Sequence, residues 1–465
     1  PWPDDEEECC QRVPEDWVEQ RADGTLRIRS GYRKRLPLKV RLNGLGEEAS
    51  SGEEFYFVPA PFAFCLNPDC GVAYSGRERS DFGKLASLSS EGRSTATTVL
   101  TLSTIRALRA DQALRPEARK LLSFTDNRQD ASLQAGHFND FVEVGLLRAA
   151  LYQAVKDAGE AGITHEVLAL GVFQALNLPL ELYALDPGVR YQARKDTERA
   201  LREVLAYRLY QDLRRGWRVT APNLEQCGLL EIEYPCLDEL CRCQEDWADL
   251  HPALADATPE TRMEVSRVLL DLMRRGLAIQ VDYLDSVYQE QLRQLSSQRL
   301  VEPWAIDEGE ALVTSSVLFP CPAPSQDREG NKVYVSGRSG FAQYLRRPST
   351  LPHHHERMSA VETELVIRQL LEALRKAGLV HEVDRLGNGE GVPGYQIPAA
   401  ALLWKVGDGQ RPYHDPVRVR RLPEQGQRRN VFFVHFYRDV ASTLQGLSAR
   451  EHTAQVPNEE RQVRE

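Results

Sequence analysis

The chain has no apolar run approaching the ~20 residues needed to cross a bilayer and no charged-then-apolar leader, so a cytoplasmic protein with no membrane partner is the expectation. It has no excess of basic residues. Its 58 Lys and Arg stand against 68 Asp and Glu, a formal charge of −10. That balance excludes a generally basic nucleic-acid binder and leaves only local basic patches on an acidic body. Nine cysteines in 465 residues do not make the even, dense set of a secreted disulfide scaffold. Reduced thiols, with at most one metal site, are expected instead. An initiating Met is lacking too: the sequence opens PWPDDEEE and closes NEERQVRE inside a charged helical pattern, which reads as a piece of a longer polypeptide.

What is present suits a soluble globular chain of two to four domains, with 42% hydrophobic and 27% charged residues. The organising stretch is Leu121 to Val142, LLSFTDNRQDASLQAGHFNDFV. Leu121–Phe124 reads as a short buried strand, Thr125–Asn127 as turn and N-cap, and Arg128 to about Lys156 as one long helix. A strand running into a helix N-terminus presents N–H groups and a positive dipole end at a sheet edge, where α/β folds hold phosphates. Val431–Phe436, VFFVHF, reads as a second strand, followed by a short helix and then Ala449 to Gln455. We expect these two pieces to share one domain, with the long middle as an insertion.

Along the chain, the acidic run Asp4–Glu8 reads as a solvated loop and Leu26–Arg29 as an edge strand. Tyr32–Arg35 is a small basic cluster beside an aromatic, open to a phosphate or simply exposed. Cys65-Leu-Asn-Pro-Asp-Cys70 resembles one knuckle of a zinc site, with two buried thiols in a turn as the alternative. Gly92 to Thr95, before a helix over Val99–Leu108, reads either as a phosphate seat or as the helix cap. Residues 160–300 are mostly helical by apolar spacing: Thr164–Ala184, Asp196–Trp217, Glu260–Met273 and Ser286–Leu295, with a short strand at Leu229–Ile232. Cys236, Cys241 and Cys243 read as buried thiols, and His353–His355 as a solvated tract. Residues Ser359–Ala377 form a helix whose apolar face is Val361, Leu365, Ile367, Leu370, Leu371 and Leu374, stopped by Gly378. A strand at Leu379–Val383, a glycine-rich tip and a returning segment follow. That order suggests a winged helix, facing either DNA or protein. Arg418, Arg420, Arg421, Arg428 and Arg429 make the most basic window, either a nucleic-acid path or a solvated linker.

Ser123-Phe124-Thr125-Asp126-Asn127-Arg128-Gln129-Asp130-Ala131 resembles motif IV at the start of the second RecA-like lobe of superfamily-2 helicases. Ala449-Arg450-Glu451-His452-Thr453-Ala454-Gln455 resembles the segment after the next strand of that lobe. The likeness is to the large prokaryotic DExH-type helicases related to mitomycin-repair and anti-phage-defence enzymes. It covers about 40 residues plus the winged-helix-like part. It implies an α/β fold: a partial second RecA-like lobe interrupted by a mainly helical and winged-helix-like insertion. In that scheme residues 1–118 are the inter-lobe connection, with the Cys65/Cys70 knuckle. Residues 119–158 start the lobe, 159–355 are the helical insertion, 356–425 the winged-helix-like module, and 426–465 resume the lobe.

The resemblance implies that Thr125, Asn127, Arg128, Gln129, Arg450, His452 and Thr453 line the track of single-stranded DNA phosphates, a grip suited to short polar side chains and N–H groups. The partners it implies are DNA and the remaining lobes of the same polypeptide. The sequence lacks G-x-x-x-x-G-K-[ST], an acidic metal motif and Q-x-x-G-R-x-x-R. ATP and Mg²⁺ are therefore expected of the parent protein and no hydrolysis of this chain alone; zinc is the one metal its own residues suggest. The competing readings are a standalone winged-helix adapter for DNA or protein, and a metal-dependent hydrolase using Asp126, Asp130, His137 and Asp140.

Overall fold

The computed structural model describes residues 2–14, 17–20, 26–66, 74, 90–124, 128–214, 221–324, 330–356, 358–386, 391–419 and 429–450. Only the backbone is described for a few positions inside helices and strands, among them Arg93 and Arg128. The chain divides into two compact units, residues 1–87 with 414–428, and residues 88–413 with 429–465.

The first unit is built on aromatic packing. Helix α1 (Glu6–Arg12) is capped by Asp5, whose carboxylate accepts from Glu8 N–H at 2.9 Å. The acidic run is thus a helix start rather than a solvated loop, because carboxylates at a helix N-terminus satisfy orphan N–H groups and the dipole. Strands β1 (Val18–Gln20) and β2 (Leu26–Ile28) pair antiparallel, as do β3 (Leu38–Leu42) and β4 (Glu53–Phe57). The core holds Cys9, Cys10, Val13, Trp17, Ile28 and Phe64. Trp17 stacks on Tyr32 at 4.9 Å and meets Phe64 edge-on. Of the basic cluster, Arg33 pairs with Glu6 and Arg35 lies over the Tyr32 ring.

The second unit is mixed α/β, and the described chain as a whole is about 49% helical. In order it runs α2 (Ser90–Ala110), α3 (Arg128–Ala158), β5 (Ile163–Thr164), α4 (His165–Leu176), α5 (Tyr191–Asp212) and β6 (Leu230–Glu233). Next come α6 (Leu237–Arg242), α7 (Pro252–Ala255), α8 (Pro259–Arg275), β7 (Ile279–Gln280), α9 (Ser286–Arg299), β8 (Val317–Phe319) and β9 (Lys332–Tyr334). The last are α10 (Gly340–Leu345), α11 (Ala360–Lys376), β10 (His381–Arg385), β11 (Pro393–Pro398), β12 (Leu403–Val406) and α12 (Val431–His435). One mixed sheet has the order β10-β11-β8-β9, with β7 also pairing β11; a separate antiparallel sheet runs β5-β12-β6.

The run after the tip therefore does not return as one strand. It leaves the first sheet at Pro398, turns through Ala399–Ala401 and enters the second. Helix α11 has a full capping box between Ser359 and Glu362, and Gly378 follows it at φ +73°, a conformation that a side chain would strain. Its buried stripe is Val366, Ile367, Leu370, Leu371 and Leu374, whereas Val361 and Leu365 face outward.

Several expected elements differ. Leu121–Phe124 forms no strand: Leu122 and Phe124 are 76% and 88% exposed. A four-residue apolar run does not by itself choose between states, and a strand needs a partner for its hydrogen bonds. Val431–Phe436 is helical, capped by Asn430 and continued by a wider turn through Val440. Buried Phe433, Phe436, Tyr437 and Val440 fall at helical spacing, which outweighs the strand preference of the aromatics. Helix α2 begins at Ser90, so Gly92–Thr95 lie inside it and neither Ser94 nor Thr95 is its cap. Helix α4 stops at Leu176, where Asn177 takes the left-handed conformation.

Candidate nucleic-acid interface

Helix α3 carries the first candidate segment. Its first half is faced by α2 through a polar seam. His137 Nδ1 lies 2.9 Å from Thr98 Oγ1 and its Nε2 3.3 Å from Thr95 Oγ1. Gln134 donates to the same Thr98 oxygen at 3.1 Å and to the Ser94 carbonyl at 3.2 Å. Each hydroxyl can donate to or accept from the ring, so the His137 tautomer sets the direction of both bonds. Both ring nitrogens are engaged in holding α2 on α3. Of the hydrolase candidates, His137 is held in this seam and Asp126 lies outside the described residues.

One turn further on, α3 reaches the second candidate segment. Asn139 Nδ2 donates to the Ala449 carbonyl at 3.0 Å and Asn139 Oδ1 accepts from Ala449 N–H at 2.6 Å. This reciprocal amide pair reads backbone across a sequence separation of 310. Below it, Phe141 packs on Phe433 and Phe436 with ring centroids 6.3 and 5.1 Å away. Gly145 lets the Phe436 ring approach; a Cβ there would lie 3.2 Å from it. From α2, Arg109 donates to the carbonyls of Gln445 and Gly446 at 3.3 and 3.5 Å.

Deeper still, Arg148 grips Asp212 through Nη2 at 2.6 Å and Nε at 3.0 Å. Its Nη1 donates to Tyr437 Oη at 2.6 Å and to the Ala221 and Pro222 carbonyls. Burial works against the guanidinium charge, but Asp212 and Tyr437 outweigh it and hold Arg148 above the ordinary arginine range. Burial likewise pushes the Tyr437 phenol up to about 12.

The expected phosphate contacts are distributed as follows. Arg450 is described and exposed, one residue past the Asn139–Ala449 pair. Gln129 is exposed in the first turn of α3, and Arg128 opens that helix. Thr125, Asn127, His452 and Thr453, and the Arg128 side chain, lie outside the described residues. Within the basic window, Arg429 donates to the Gly409 carbonyl at 2.8 Å, Arg418 is exposed, and Arg420, Arg421 and Arg428 lie outside the described residues. Cys65 is half-buried and Cys70 lies outside them too. Of the other thiols, Cys236 is exposed rather than buried, Cys243 is half-buried and Cys241 is buried. Among the described residues no group of three or more His, Cys, Asp or Glu is placed to hold a metal, and no helix is long and apolar enough to cross a membrane.

Sequence reasoning passed over Asn139 and Arg148. Arg148 had a signal: a single arginine inside the apolar run GLLRAALYQAV needs a buried counter-ion. No protein-family model, curated protein or solved structure matches the chain.

Proposed function

We propose that this chain is the nucleic-acid-binding central portion of an ATP-dependent superfamily-2 DNA helicase or translocase. In this reading residues 119–158 and 426–465 are the interrupted second RecA-like lobe, residues 356–425 are a winged-helix-like module, and the protein is cytoplasmic. ATP and Mg²⁺ are bound by other lobes of the same polypeptide. The observation that supports it most is the Asn139–Ala449 pair, which joins the helix that continues from the first motif-like segment to the first residue of the second. A shared track for one strand's phosphates requires that proximity. A zinc ion on Cys65 and Cys70 belongs to the same reading and is checked by metal content of the protein against Cys65→Ser.

The test is single-stranded DNA binding across a salt series, comparing wild type with Arg128→Ala combined with Arg450→Ala. Salt-sensitive binding, weakened evenly across sequences by the double substitution, is the expected result. Absent binding, or binding that the substitutions leave unchanged, rejects it.

A second reading, a protein-binding adapter, draws support from α11 and β10. Arg368 pairs with Glu364, Arg375 with Glu372 and Arg385 with Glu382, so the cations that a duplex would require are neutralised in place. Exposed Val361 and Leu365 on the same helix suit a protein surface better than a phosphate backbone.

A further inference from the structure

Three histidines converge on the short helix α7, and the His353–His355 tract is not the solvated loop its composition suggests. His251 precedes α7. Its backbone N–H donates to Gln369 Oε1 on α11 at 2.7 Å, and its ring Nδ1 caps the helix by accepting from Ala253 N–H at 3.2 Å. From the other side His353 Nε2 lies 3.1 Å from the Ala253 carbonyl. A carbonyl only accepts, so that nitrogen carries the proton. The remaining nitrogen of His353 is buried with no partner. His354 sets its ring edgewise to His251, with centroids 5.7 Å apart. The far end of α7 is held by groups that do not titrate near neutrality: Arg262 donates to the Leu254 and Ala255 carbonyls at 2.9 and 2.6 Å, and Gln244 to Ala255 at 3.1 Å.

This bonding selects a protonation state. An Nδ1 that accepts from an amide carries no proton, so His251 is the neutral imidazole. A second proton would set N–H against the Ala253 N–H, remove the cap and place a cation beside His354. We propose that the cluster is a proton-operated latch, in which neutral His251 caps α7 against the Leu351–His355 segment and a second proton on its ring removes the cap and loosens that segment. That segment leads into Ser359, the cap of α11, and α11 feeds the β10–β11 hairpin.

The charged groups around His251 agree with that direction. Glu362 on α11 favours its protonation and His354 opposes it, while Arg262 on α8, with Asp256 nearby, faces the opposite end of α7. Burial and then His354 hold His251 below the ordinary histidine range, against Glu362. The open form takes up the proton first. The latch is therefore at full strength above about pH 6.5 and weakens as pH falls through the lower value of the closed form.

The experiment is peptide-level hydrogen exchange on the whole chain at a series from about pH 7.5 to about pH 5, with rates corrected for intrinsic exchange. Wild type should lose protection over residues 250–256 and 351–356, roughly tenfold, as pH falls. His251→Asn keeps a cap at every pH, because Asn accepts from the same amide without titrating, and should lose none. Glu362→Gln, which preserves the capping box, should shift the wild-type transition to lower pH because an anion favouring the imidazolium is gone. Parallel loss in wild type and His251→Asn, no loss in wild type, or an unmoved midpoint in Glu362→Gln each overturns the latch. The outcome is independent of DNA binding.

Discussion

Replacing Arg148 by Met would leave the Asp212 carboxylate buried without its counter-ion, and would strip donors from Tyr437 and the Ala221 and Pro222 carbonyls. The expected cost is about 3–5 kcal/mol, because breaking one half of a buried pair is worse than never having it. A urea titration should show the midpoint falling with an unchanged slope. Tyr437→Phe removes one hydroxyl that both accepts from Arg148 and donates to Pro222, and should cost about 1–3 kcal/mol. The thiols offer a second check at this scale. Burial pushes Cys227 up to about 12 and Cys241 up to about 11, while Cys236 is exposed. Only the thiolate reacts, so at about pH 8 iodoacetamide should label Cys236 quickly and Cys227 only after unfolding. Peptide mapping that finds the two equally fast would contradict the packing.

At the scale of elements, the sharpest disagreement between pattern and structure is Leu121–Phe124. As a buried strand it would not tolerate charge; as the exposed segment observed, Leu122→Lys or Phe124→Lys should change stability by no more than about 0.5 kcal/mol. Calorimetry or urea unfolding decides it. The long helices were legible because three- and four-residue apolar spacing survives over many turns, and α3, α8, α9 and α11 fall close to where that spacing puts them. Val431–Phe436 was misread because the window ended too early. Reading on through Tyr437 and Val440 turns an aromatic cluster into a helical stripe. The two-residue strands β5 and β7 have no sequence signature of their own; they exist because β12 and β11 lie beside them. For the candidate site, the sequence identified both segments but not what joins them. An Asn side chain recognising a peptide group 310 residues away has no local pattern.

For the whole molecule, a net charge of −10 means that any grip on a phosphate chain is local and works against the field of the remaining body. The salt series should then give a modest slope, about −0.7 for each single-strand phosphate neutralised, and the Arg128/Arg450 double substitution should flatten it by roughly 1.4. A mixed α/β architecture was legible in the alternation of patterns along the chain. The division of its residues between two units, with 414–428 grouped beside 1–87, was not, because grouping segments distant in sequence depends on contacts that no window contains.

The union of α3 with residues 431–450 also has a consequence in time. On a ribosome adding about 5–20 residues per second, Asn139 emerges roughly 15–60 s before Ala449. Throughout that interval Phe141 lacks Phe433 and Phe436, and Arg148 lacks Tyr437. The nascent chain must therefore carry Phe141 and Arg148 without these partners until residues 433–437 arrive.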